Sequence, residues 1–382
     1  MSANQSIIDI IRGQFPDQEF IPLHEPVFGG REKEYLGECI DSIFVSSVGK
    51  YVDRLEEVFV GYTGAHFAVA TVNGTAALHT ALMLAGVTPG EAVITQALTF
   101  IATANAISYC GAAPVFLDVE KKQPALSPRA LLKFLESQCE VQNDGTCRDR
   151  RTGQRIAACV PVHVFGHPAD LGEILAVCDH FGVPVVEDAA ESIGSWYGAR
   201  HTGTLGRLGI VSFNGNKAIT TGGGGMVLTD SEELGHRAKH ITTTAKVPHR
   251  WDYSHDQVGY NYRMPNINAA LGCAQMENLD DILAAKRNLA ADYRDEMAVA
   301  GADFMDEPDG CRSNFWLNAI ILANREQRDA FLQASNDQGV MTRPLWGLPV
   351  DMPMYRNARC DDLTHTRWLF ERVVNIPSSA RL

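Results

Sequence analysis

The sequence has no excess of basic residues, and this limits the partners that it can bind. Its 33 lysines and arginines are outnumbered by 46 aspartates and glutamates, which gives a formal net charge of −13. Proteins that bind nucleic acid or anionic membranes need clustered positive charge to neutralise phosphates. We therefore expect neither nucleic acid nor a membrane as a partner, whereas a local pocket for one small phosphorylated ligand is compatible with this charge.

The nine cysteines include no C-x-x-C pair, and their number is odd. This spacing matches neither a zinc site nor a disulfide framework. Reduced thiols in a cytoplasmic protein are the simplest interpretation. We expect no metal centre.

A long apolar run without charges is also lacking. No charge-free stretch reaches the roughly 20 apolar residues that cross a bilayer. The first 20 residues carry Asp9, Arg12 and Asp17, where a secretion signal would have its apolar core. We therefore expect a cytoplasmic localisation.

From about residue 66 the sequence alternates short apolar, β-branched runs with helical patterns. The runs predict strands at 66–72, 91–99, 113–119, 156–165, 183–190, 209–214 and 225–230, with helices at 74–86, 127–138 and 169–182. Continuously apolar strands are typical of a parallel sheet that is covered on both faces. The pattern predicts an α/β domain with a largely parallel sheet between helices.

Two regions depart from this alternation. Residues 139–155 are polar and predict a surface hairpin or loop insertion. Beyond about residue 232 the helical patterns become longer, including 267–300, and they are followed by a strand at 313–323 and a helix near 325–338. We predict an N-terminal arm and large domain over residues 1–245 and a smaller C-terminal α/β domain over 246–382.

Lys217 lies shortly before four consecutive glycines at 222–225. A Walker-type phosphate loop has the opposite order, glycines followed by lysine, and the glycines at 203–209 do not match G-x-G-x-x-G. Nucleoside triphosphate and dinucleotide loops are therefore poor matches. Taken alone, such a lysine is most often a solvated loop residue.

Other candidate residues follow the predicted strands, at the edge where open α/β sheets bind ligands. Gly74 and Thr75 begin a helix, whose first N–H groups suit a phosphate. Phe100 could lie flat on a planar ligand, and Asp188 ends an apolar strand where a carboxylate needs a partner. Each has a plain structural alternative, namely an ordinary turn, a core aromatic or a helix cap.

Together these signals describe a site for pyridoxal 5′-phosphate (PLP). The cofactor phosphate would bind at the helix N-terminus, the aromatic would stack on the ring, and the carboxylate would hold the pyridine nitrogen protonated. Lys217 would form a Schiff base with the aldehyde. The glycines after Lys217 would let the backbone pass close to the cofactor.

With these residues in place, the sequence resembles the DegT/DnrJ/StrS-type sugar aminotransferases, which are fold-type I PLP enzymes. The segments that carry the resemblance occur in the family's order: NGTAALHTAL (73–82), TFIATANAI (99–107), VEDAAES (186–192), SFNGNK (212–217), GGGGMV (222–227) and GYNYRMPNINAALG (259–272). The resemblance implies a fold-type I architecture, with a mostly parallel seven-stranded-type sheet in a large domain and a smaller C-terminal α/β domain.

The resemblance also implies roles for individual residues. Lys217 would be the catalytic Schiff-base lysine, Asp188 the partner of the pyridine nitrogen and Phe100 the stacking aromatic. The phosphate contacts would come from Gly74, Thr75 and Ser212. Asn261 matches an asparagine that reaches the phosphate from the neighbouring subunit, which implies a homodimer with shared active sites.

Some positions are less clearly assigned. Glu191 is also matched to the cofactor site, but it stands where the family often has glutamine, so its role is left open. The resemblance places Ser46 and Ser47 in a loop near the substrate, and Arg343 and Trp346 are candidates for contacts to the sugar nucleotide.

Residues 21–57, the SFNGNK…TTGGGG region and the 139–155 insertion resemble one branch of the family. That branch implies transamination of a nucleotide-linked 4-keto-6-deoxy sugar, namely a UDP-2-acetamido-2,6-dideoxy-4-keto-hexose. L-Glutamate would be the amino donor, 2-oxoglutarate would leave, and the product would serve bacterial surface glycans such as the O-antigen of lipopolysaccharide. Open alternatives are a GDP- or dTDP-linked or 3-keto sugar, a PLP sugar dehydratase, in which histidine replaces the lysine, and a non-catalytic PLP-binding regulator.

Overall fold

The structure, a computed structural model, describes residues 3–382 of the chain. Its helices are α1 (Ala3–Gln14), α2 (Glu32–Asp41), α3 (Lys50–Thr63), α4 (Gly74–Leu84), α5 (Ile101–Tyr109), α6 (Pro128–Gln138), α7 (Leu171–His180), α8 (Glu232–Thr242), α9 (Asn266–Glu277), α10 (Leu279–Val299), α11 (Arg325–Asp337) and α12 (Thr364–Phe370).

The strands are short, from two to five residues each. They are β1 (Phe67–Thr71), β2 (Ala92–Gln96), β3 (Ala113–Leu117), β4 (Cys139–Val141), β5 (Cys147–Asp149), β6 (Ile156–Val160), β7 (Val186–Asp188), β8 (Trp196–Tyr197), β9 (Arg200–His201), β10 (Leu208–Ser212), β11 (Gly225–Thr229), β12 (Asp303–Phe304), β13 (Cys311–Arg312), β14 (Asn318–Ile321), β15 (Arg343–Pro344), β16 (Arg359–Cys360) and β17 (Val373–Ile376).

The central sheet consists of two four-stranded parts, ordered β1-β11-β10-β7 and β16-β3-β2-β6. Parallel bridges from Cys159 to Val185 and from Val162 to Asp188 connect β6 with β7. Within this sheet only β11 runs antiparallel to its neighbours. The predicted largely parallel sheet is thus confirmed, and β16 adds an edge strand from the C-terminal part of the chain that the sequence did not predict.

Helices cover this sheet because its strands are apolar on both faces. In α4, nine residues are buried, which is why its sequence is apolar nearly all round rather than along one stripe. The Asn73 side chain caps α4 by accepting the Ala76 N–H at 2.8 Å, and the Asp170 side chain caps α7 in the same way.

A second sheet, β12-β14-β17-β15, is antiparallel and belongs to the C-terminal part of the chain. Its core packs Ile8 and Ile11 of α1 together with Leu289, Tyr293 and Phe331 from α10 and α11. Helix α1 therefore packs in this C-terminal core. The boundary near residue 245 stays a prediction.

Several predicted elements differ in their extent. The helical stretch at 267–300 is divided at Asn278 into α9 and α10. The strand predicted over 313–323 contracts to Asn318–Ile321, because Phe315 has a φ of 48° that a strand residue cannot adopt. The insertion at 139–155 is a hairpin of β4 and β5, as predicted.

Over the described range, 3–382, no helix is long and apolar enough to cross a membrane. In the same range no group of three or more His, Cys, Asp and Glu side chains is arranged to hold a metal ion.

Candidate active site

A cavity of about 280 Å³ lies at the carboxyl ends of the parallel strands. Its lining comes from the ends of β1, β2, β6, β7 and β10, from the segments and helices that follow them, and from two tryptophans of the C-terminal part. The residues are Asn73, Gly74, Thr75, Leu78, Thr99, Phe100, Ala102, Thr103, Val162, Asp188, Ala190, Glu191, Ile210, Ser212, Asn214, Asn216, Lys217, Trp316 and Trp346. Strand ends that are distant in sequence thus meet in one place.

Lys217 lies in the loop between β10 and β11, and only 12% of its side chain is exposed. Its Nζ is 3.2 Å from Oε1 of Glu191 and 3.7 Å from the centroid of the Trp316 ring. The lysine is therefore not a solvated loop residue. Its amine lies inside the cavity, between a carboxylate and an aromatic face.

Asp188 ends β7 and is buried on the same cavity. Its Oδ2 accepts a hydrogen bond from Thr103 Oγ1 at 2.9 Å, and its Oδ1 accepts the Ala190 N–H at 3.2 Å. Burial raises the pKa of Asp188, although the Thr103 hydrogen bond and the charge of Lys217 act in the opposite direction. No ion pair within residues 3–382 includes Asp188, so the carboxylate would be stabilised by a cation in the cavity.

Gly74 and Ser212 form a narrow cradle at the N-terminus of α4. A Cβ atom on Gly74 would lie 2.8 Å from the Cβ of Ser212, so only glycine permits this approach. The N–H groups of the first turn have no intrahelical partner, and the Asn73 cap takes only that of Ala76. Such a helix start with a neighbouring hydroxyl suits a phosphate.

Gly225, the last glycine of the run after Lys217, packs against this cradle instead of lining the cavity. A Cβ on Gly225 would lie 2.6 Å from the carbonyl of Asn73, and Gly222 has a φ of 78°. Among the described residues that line the cavity, none comes from 222–225. The expectation that these glycines pass beside a cofactor stays a prediction. In the structure Gly225 lets β11 approach the Asn73–Gly74 turn.

Aromatic side chains form the mouth of the cavity. Phe100, 51% exposed, precedes α5, and its ring centroid lies 6.0 Å from that of Trp346. Trp346 also contacts Phe165, with 5.5 Å between ring centroids. Phe100 is thus free to face a planar ligand, and Trp346 stands beside it.

Glu191 has two well-defined partners. Its Oε1 pairs with Lys217, and its Oε2 accepts the Phe165 N–H at 2.8 Å. Burial raises the pKa of Glu191, whereas the charge of Lys217 lowers it. In the protein without cofactor, this carboxylate therefore contacts the lysine.

The other predicted residues do not line the cavity of their own chain. Asn261 is exposed, and Ser46 lies in an exposed loop where its carbonyl accepts the Asn266 N–H at 2.7 Å, beside Ser47. Arg343 donates to Asn336 Oδ1 at 3.2 Å and to the Thr342 carbonyl at 3.1 Å. Their proposed roles toward substrate or a neighbouring subunit stay predictions.

Sequence reasoning missed two residues at the site. Thr103 lies one helical turn after Thr99, and this i, i+4 spacing next to Phe100 could have suggested a polar contact with the strand-end aspartate. Trp316 gives no local signal, because it reaches the cavity from a segment about 100 residues after Lys217.

Comparison with known proteins agrees with this geometry. Residues 27–382 match the model of the DegT/DnrJ/EryC1/StrS aminotransferase family. EpsN of Bacillus subtilis (strain 168), whose name describes a pyridoxal phosphate-dependent aminotransferase, is 36% identical over 373 residues, which is 95% of this chain and 92% of EpsN. The GDP-perosamine synthase of Escherichia coli O157:H7 is 35% identical over 88% of this chain and 87% of its own length.

Among solved structures, the aminotransferase TlmJ from Streptoalloteichus hindustanus superposes with a TM-score of 0.85 at 26% identity, covering 94% of this chain and 93% of TlmJ. The fold-type I architecture predicted from the sequence is thus confirmed. Taken with the family match, the buried lysine and the strand-end aspartate, this establishes that the chain belongs to the DegT/DnrJ/EryC1/StrS aminotransferase family and is a pyridoxal phosphate-dependent sugar aminotransferase.

Proposed function

We propose that this enzyme transfers the amino group of L-glutamate to C4 of a nucleotide-linked 4-keto-6-deoxy sugar. The observation that carries the proposal is the placement of the Lys217 amine, the Asp188 carboxylate and the Gly74–Ser212 cradle on one cavity. The product would be a 4-amino sugar nucleotide, used for a bacterial surface glycan such as an O-antigen.

The residues present fit PLP. Gly74, Thr75 and Ser212 would hold its phosphate. Asp188 would accept a hydrogen bond from the protonated pyridine nitrogen, which would supply the cation that this buried carboxylate lacks. Phe100 would lie against the ring. When bound, PLP supplies an aldehyde that bonds to amines and a ring that accepts electrons from the adjacent carbon.

Lys217 acts as base and acid in this scheme. Once freed by the incoming amine, its Nζ would remove the proton from Cα of glutamate and would donate it to the carbon to which Lys217 itself had been bonded. Hydrolysis by water would then release 2-oxoglutarate, and the same side chain would move protons in the reverse direction when the keto sugar occupies the site. A ping-pong sequence follows, because one donor must leave before the acceptor enters.

Asp188 and Thr103 set the electrostatics of the reaction. The carboxylate would keep a proton on the ring nitrogen, and Thr103 fixes the orientation of the carboxylate through its 2.9 Å hydrogen bond. Because both side chains are buried, this interaction is little weakened by water.

We further propose a homodimer with shared active sites. Exposed apolar side chains lie in two segments, around Ile43 and Val48 and around Trp251, Tyr253 and Val258, with exposed fractions of 62% to 84%. A second copy of the chain is the occupant that the resemblance implies for these surfaces, and it would bring Asn261 toward the phosphate cradle.

A complementation experiment tests the shared site. Lys217→Ala and Asn261→Asp proteins, each expected to be inactive as pure dimers, are unfolded, mixed and refolded together. Hybrid dimers would regain one intact site, giving about a quarter of wild-type activity in an equal mixture. No recovery, in a mixture where sedimentation shows dimers, contradicts the proposal.

Two nucleotides are candidates for the sugar-linked part of the substrate. The resemblance of residues 21–57 supports a UDP-linked 2-acetamido sugar. The relatives named GDP-perosamine synthase, at 34% to 35% identity, favour a GDP-linked sugar as the second candidate. The two differ in the base and at C2 of the sugar.

The experiment is incubation of the purified enzyme with glutamate and UDP-, GDP- or dTDP-linked 4-keto-6-deoxy sugars, with products resolved by mass. Exchange of the keto oxygen for an amino group is the expected result, and Lys217→Ala is the control for enzyme-dependent amination. A product that has lost a hydroxyl without gaining nitrogen indicates a dehydratase. Failure with every sugar, while the protein binds PLP, contradicts the proposed function.

A further inference from the structure

The amine of Lys217 is contacted from two sides by groups that both attract a cation. Glu191 Oε1 lies at 3.2 Å, and the ring centroid of Trp316 lies at 3.7 Å. The two partners are 5% and 3% exposed. Ion pairs and cation–π contacts are both stronger where water is excluded.

Trp316 is fixed in this position by three hydrogen bonds. Its indole Nε1 donates to the carbonyl of Asn216 at 2.6 Å, so the ring is bonded to the residue that precedes Lys217. Its backbone N–H donates to Asn314 Oδ1 at 2.8 Å, and its carbonyl accepts from Lys286 Nζ at 3.1 Å. The indole therefore cannot turn away from the lysine without breaking its bond to Asn216, and the two other bonds hold the backbone of Trp316 in place.

Asn314 also holds the opposite partner. Its Nδ2 donates to the carbonyls of Glu191 at 2.9 Å and Ile193 at 2.8 Å. The second carboxylate oxygen of Glu191 is held by the Phe165 N–H. One buried asparagine thus sets the spacing between the two groups that contact Lys217.

We propose that Glu191 and Trp316 form a holding site for the Lys217 amine while it is not bonded to the cofactor, with Trp316 as a positioning residue. The proposal rests on the proposed function, in which Lys217 is released and must then move protons at two carbon atoms. A released lysine side chain would otherwise sample several rotamers. A carboxylate at position 191 pairs with the ammonium form of Lys217, which a glutamine could not do.

Trp316 also lines the cavity, so it could act by contacting the cofactor instead of by positioning the Lys217 amine. A residue that contacts the cofactor affects the protein's affinity for both the aldehyde and the amine form of the cofactor. The holding site affects only steps that involve the free lysine. Pyridoxamine 5′-phosphate, which does not bond to Lys217, separates the two roles.

The first measurement uses the cofactor-free protein. Its amines are labelled slowly with formaldehyde and cyanoborohydride, and Lys217 is quantified by peptide mass spectrometry against the exposed Lys33. Glu191→Gln keeps the shape of the site, and it should raise the labelling rate of Lys217 about fivefold, as should Trp316→Leu. Trp346→Leu is the matched control, since Trp346 lines the same cavity without contacting Lys217, and it should leave the rate unchanged.

The second measurement uses the holoenzyme. In Trp316→Phe, the affinity for pyridoxamine 5′-phosphate should stay within about twofold of wild type, whereas the glutamate-driven loss of visible cofactor absorbance should slow about tenfold. This rate should be higher in Trp316→Phe than in Trp316→Leu, because phenylalanine retains an aromatic face toward Lys217.

Three results decide the matter. Equal labelling of Lys217 in all variants overturns the holding site, and so does an affinity for pyridoxamine 5′-phosphate that falls as much as the rate. If wild-type enzyme itself shows no response to glutamate, the proposed function fails, and the labelling rates then decide the holding site independently.

Discussion

The side chain of Asn314 bonds to the backbone of Trp316, where its Oδ1 accepts the N–H at 2.8 Å. The same side chain donates to the carbonyls of Glu191 and Ile193, and the asparagine N–H donates to Ser195 Oγ at 2.9 Å. Asn314 is fully buried and makes four hydrogen bonds. It connects the segment after β7 with the C-terminal part of the chain.

We expect Asn314→Ala to lower the free energy of unfolding by about 3 kcal/mol, because the bonded carbonyls and the Trp316 N–H become buried without partners. Denaturant unfolding of the cofactor-free protein measures this change. Asn288→Ala, at an exposed position of α10, is the control and should change the free energy by less than about 0.5 kcal/mol. Equal effects of the two substitutions would show that the Asn314 bonds contribute no stability.

Asp188→Asn separates stability from function. The buried carboxylate of Asp188 is costly without a cation, and its pKa is raised by burial. The amide keeps an oxygen that can accept from Thr103. We therefore expect the cofactor-free variant to be at least as stable as wild type, while turnover falls on the order of a hundredfold or more because the ring nitrogen loses its anionic partner.

The pH dependence of this difference follows from the direction of the shift. The folded protein binds a proton at Asp188 more tightly than the unfolded chain, whose pKa is near the ordinary 3.8. The free energy of unfolding of wild type, relative to that of Asp188→Asn, therefore falls as pH rises above 3.8. It becomes constant above the pKa of Asp188 in the folded protein. Unfolding curves at pH 4 and pH 8 check this, and a wild type that gains relative stability at pH 8 would contradict it.

Gly74→Ala tests the phosphate cradle. The added Cβ would lie 2.8 Å from Ser212 Cβ and 3.0 Å from its Oγ, so the serine must move. We expect the affinity of the cofactor-free protein for pyridoxamine 5′-phosphate to fall about tenfold, as for the loss of one hydrogen bond to a charged group. Equilibrium dialysis with the labelled ligand measures it.

Gly61→Ala is the matched control for this substitution. Gly61 lies within α3, and a Cβ there meets nothing within 4 Å. The change should leave cofactor affinity unaltered and stabilise the helix by about 0.5 to 1 kcal/mol. An affinity that is unchanged in Gly74→Ala, as it is in Gly61→Ala, would show that Ser212 and Gly74 do not hold the phosphate.

The contrast between Lys217 and Trp316 shows what the sequence could predict. Lys217 and Gly74 follow strands and Asp188 ends one. Each signal is ambiguous alone, but parallel strands bring their carboxyl ends to one edge whatever the loops do. Trp316 arrives from the C-terminal part, through a segment that leaves the sheet at Phe315 with a φ of 48°. That path depends on the buried hydrogen bonds of Asn314, and the hydrophobic periodicity of the sequence does not predict it.

The edge strand β16 and the placement of α1 were missed for a related reason. Arg359 and Cys360 form only a two-residue strand, which pairs with Val115 and Phe116 of β3. A pairing this short has no recognisable pattern of its own and depends on tertiary context. Helix α1 is amphipathic, but an apolar stripe does not say which core it covers, and in the structure it packs with α10 and α11.

Lys286 is a fully buried lysine on α10, and its Nζ donates to the carbonyls of Trp316 at 3.1 Å and Ser378 at 2.6 Å. Burial lowers the pKa of Lys286 to about 7, from an ordinary 10.5. Between these two values the unfolded chain holds a proton that the folded protein has lost. Wild-type stability should therefore rise with pH across this window, by at most about 1.4 kcal/mol per pH unit.

Lys286→Met removes this titration, so the stability of wild type relative to the variant should rise from pH 7 to pH 10 and be constant below pH 6. Denaturant unfolding of the cofactor-free proteins at intervals of one pH unit measures the slope. His24 is also affected by the charge of Lys286, but burial lowers its pKa well below 6.5, so His24→Gln should leave the alkaline slope intact. A difference that stays flat up to pH 10 would mean that Lys286 remains charged in the folded protein, held by the two carbonyls strongly enough to offset its burial.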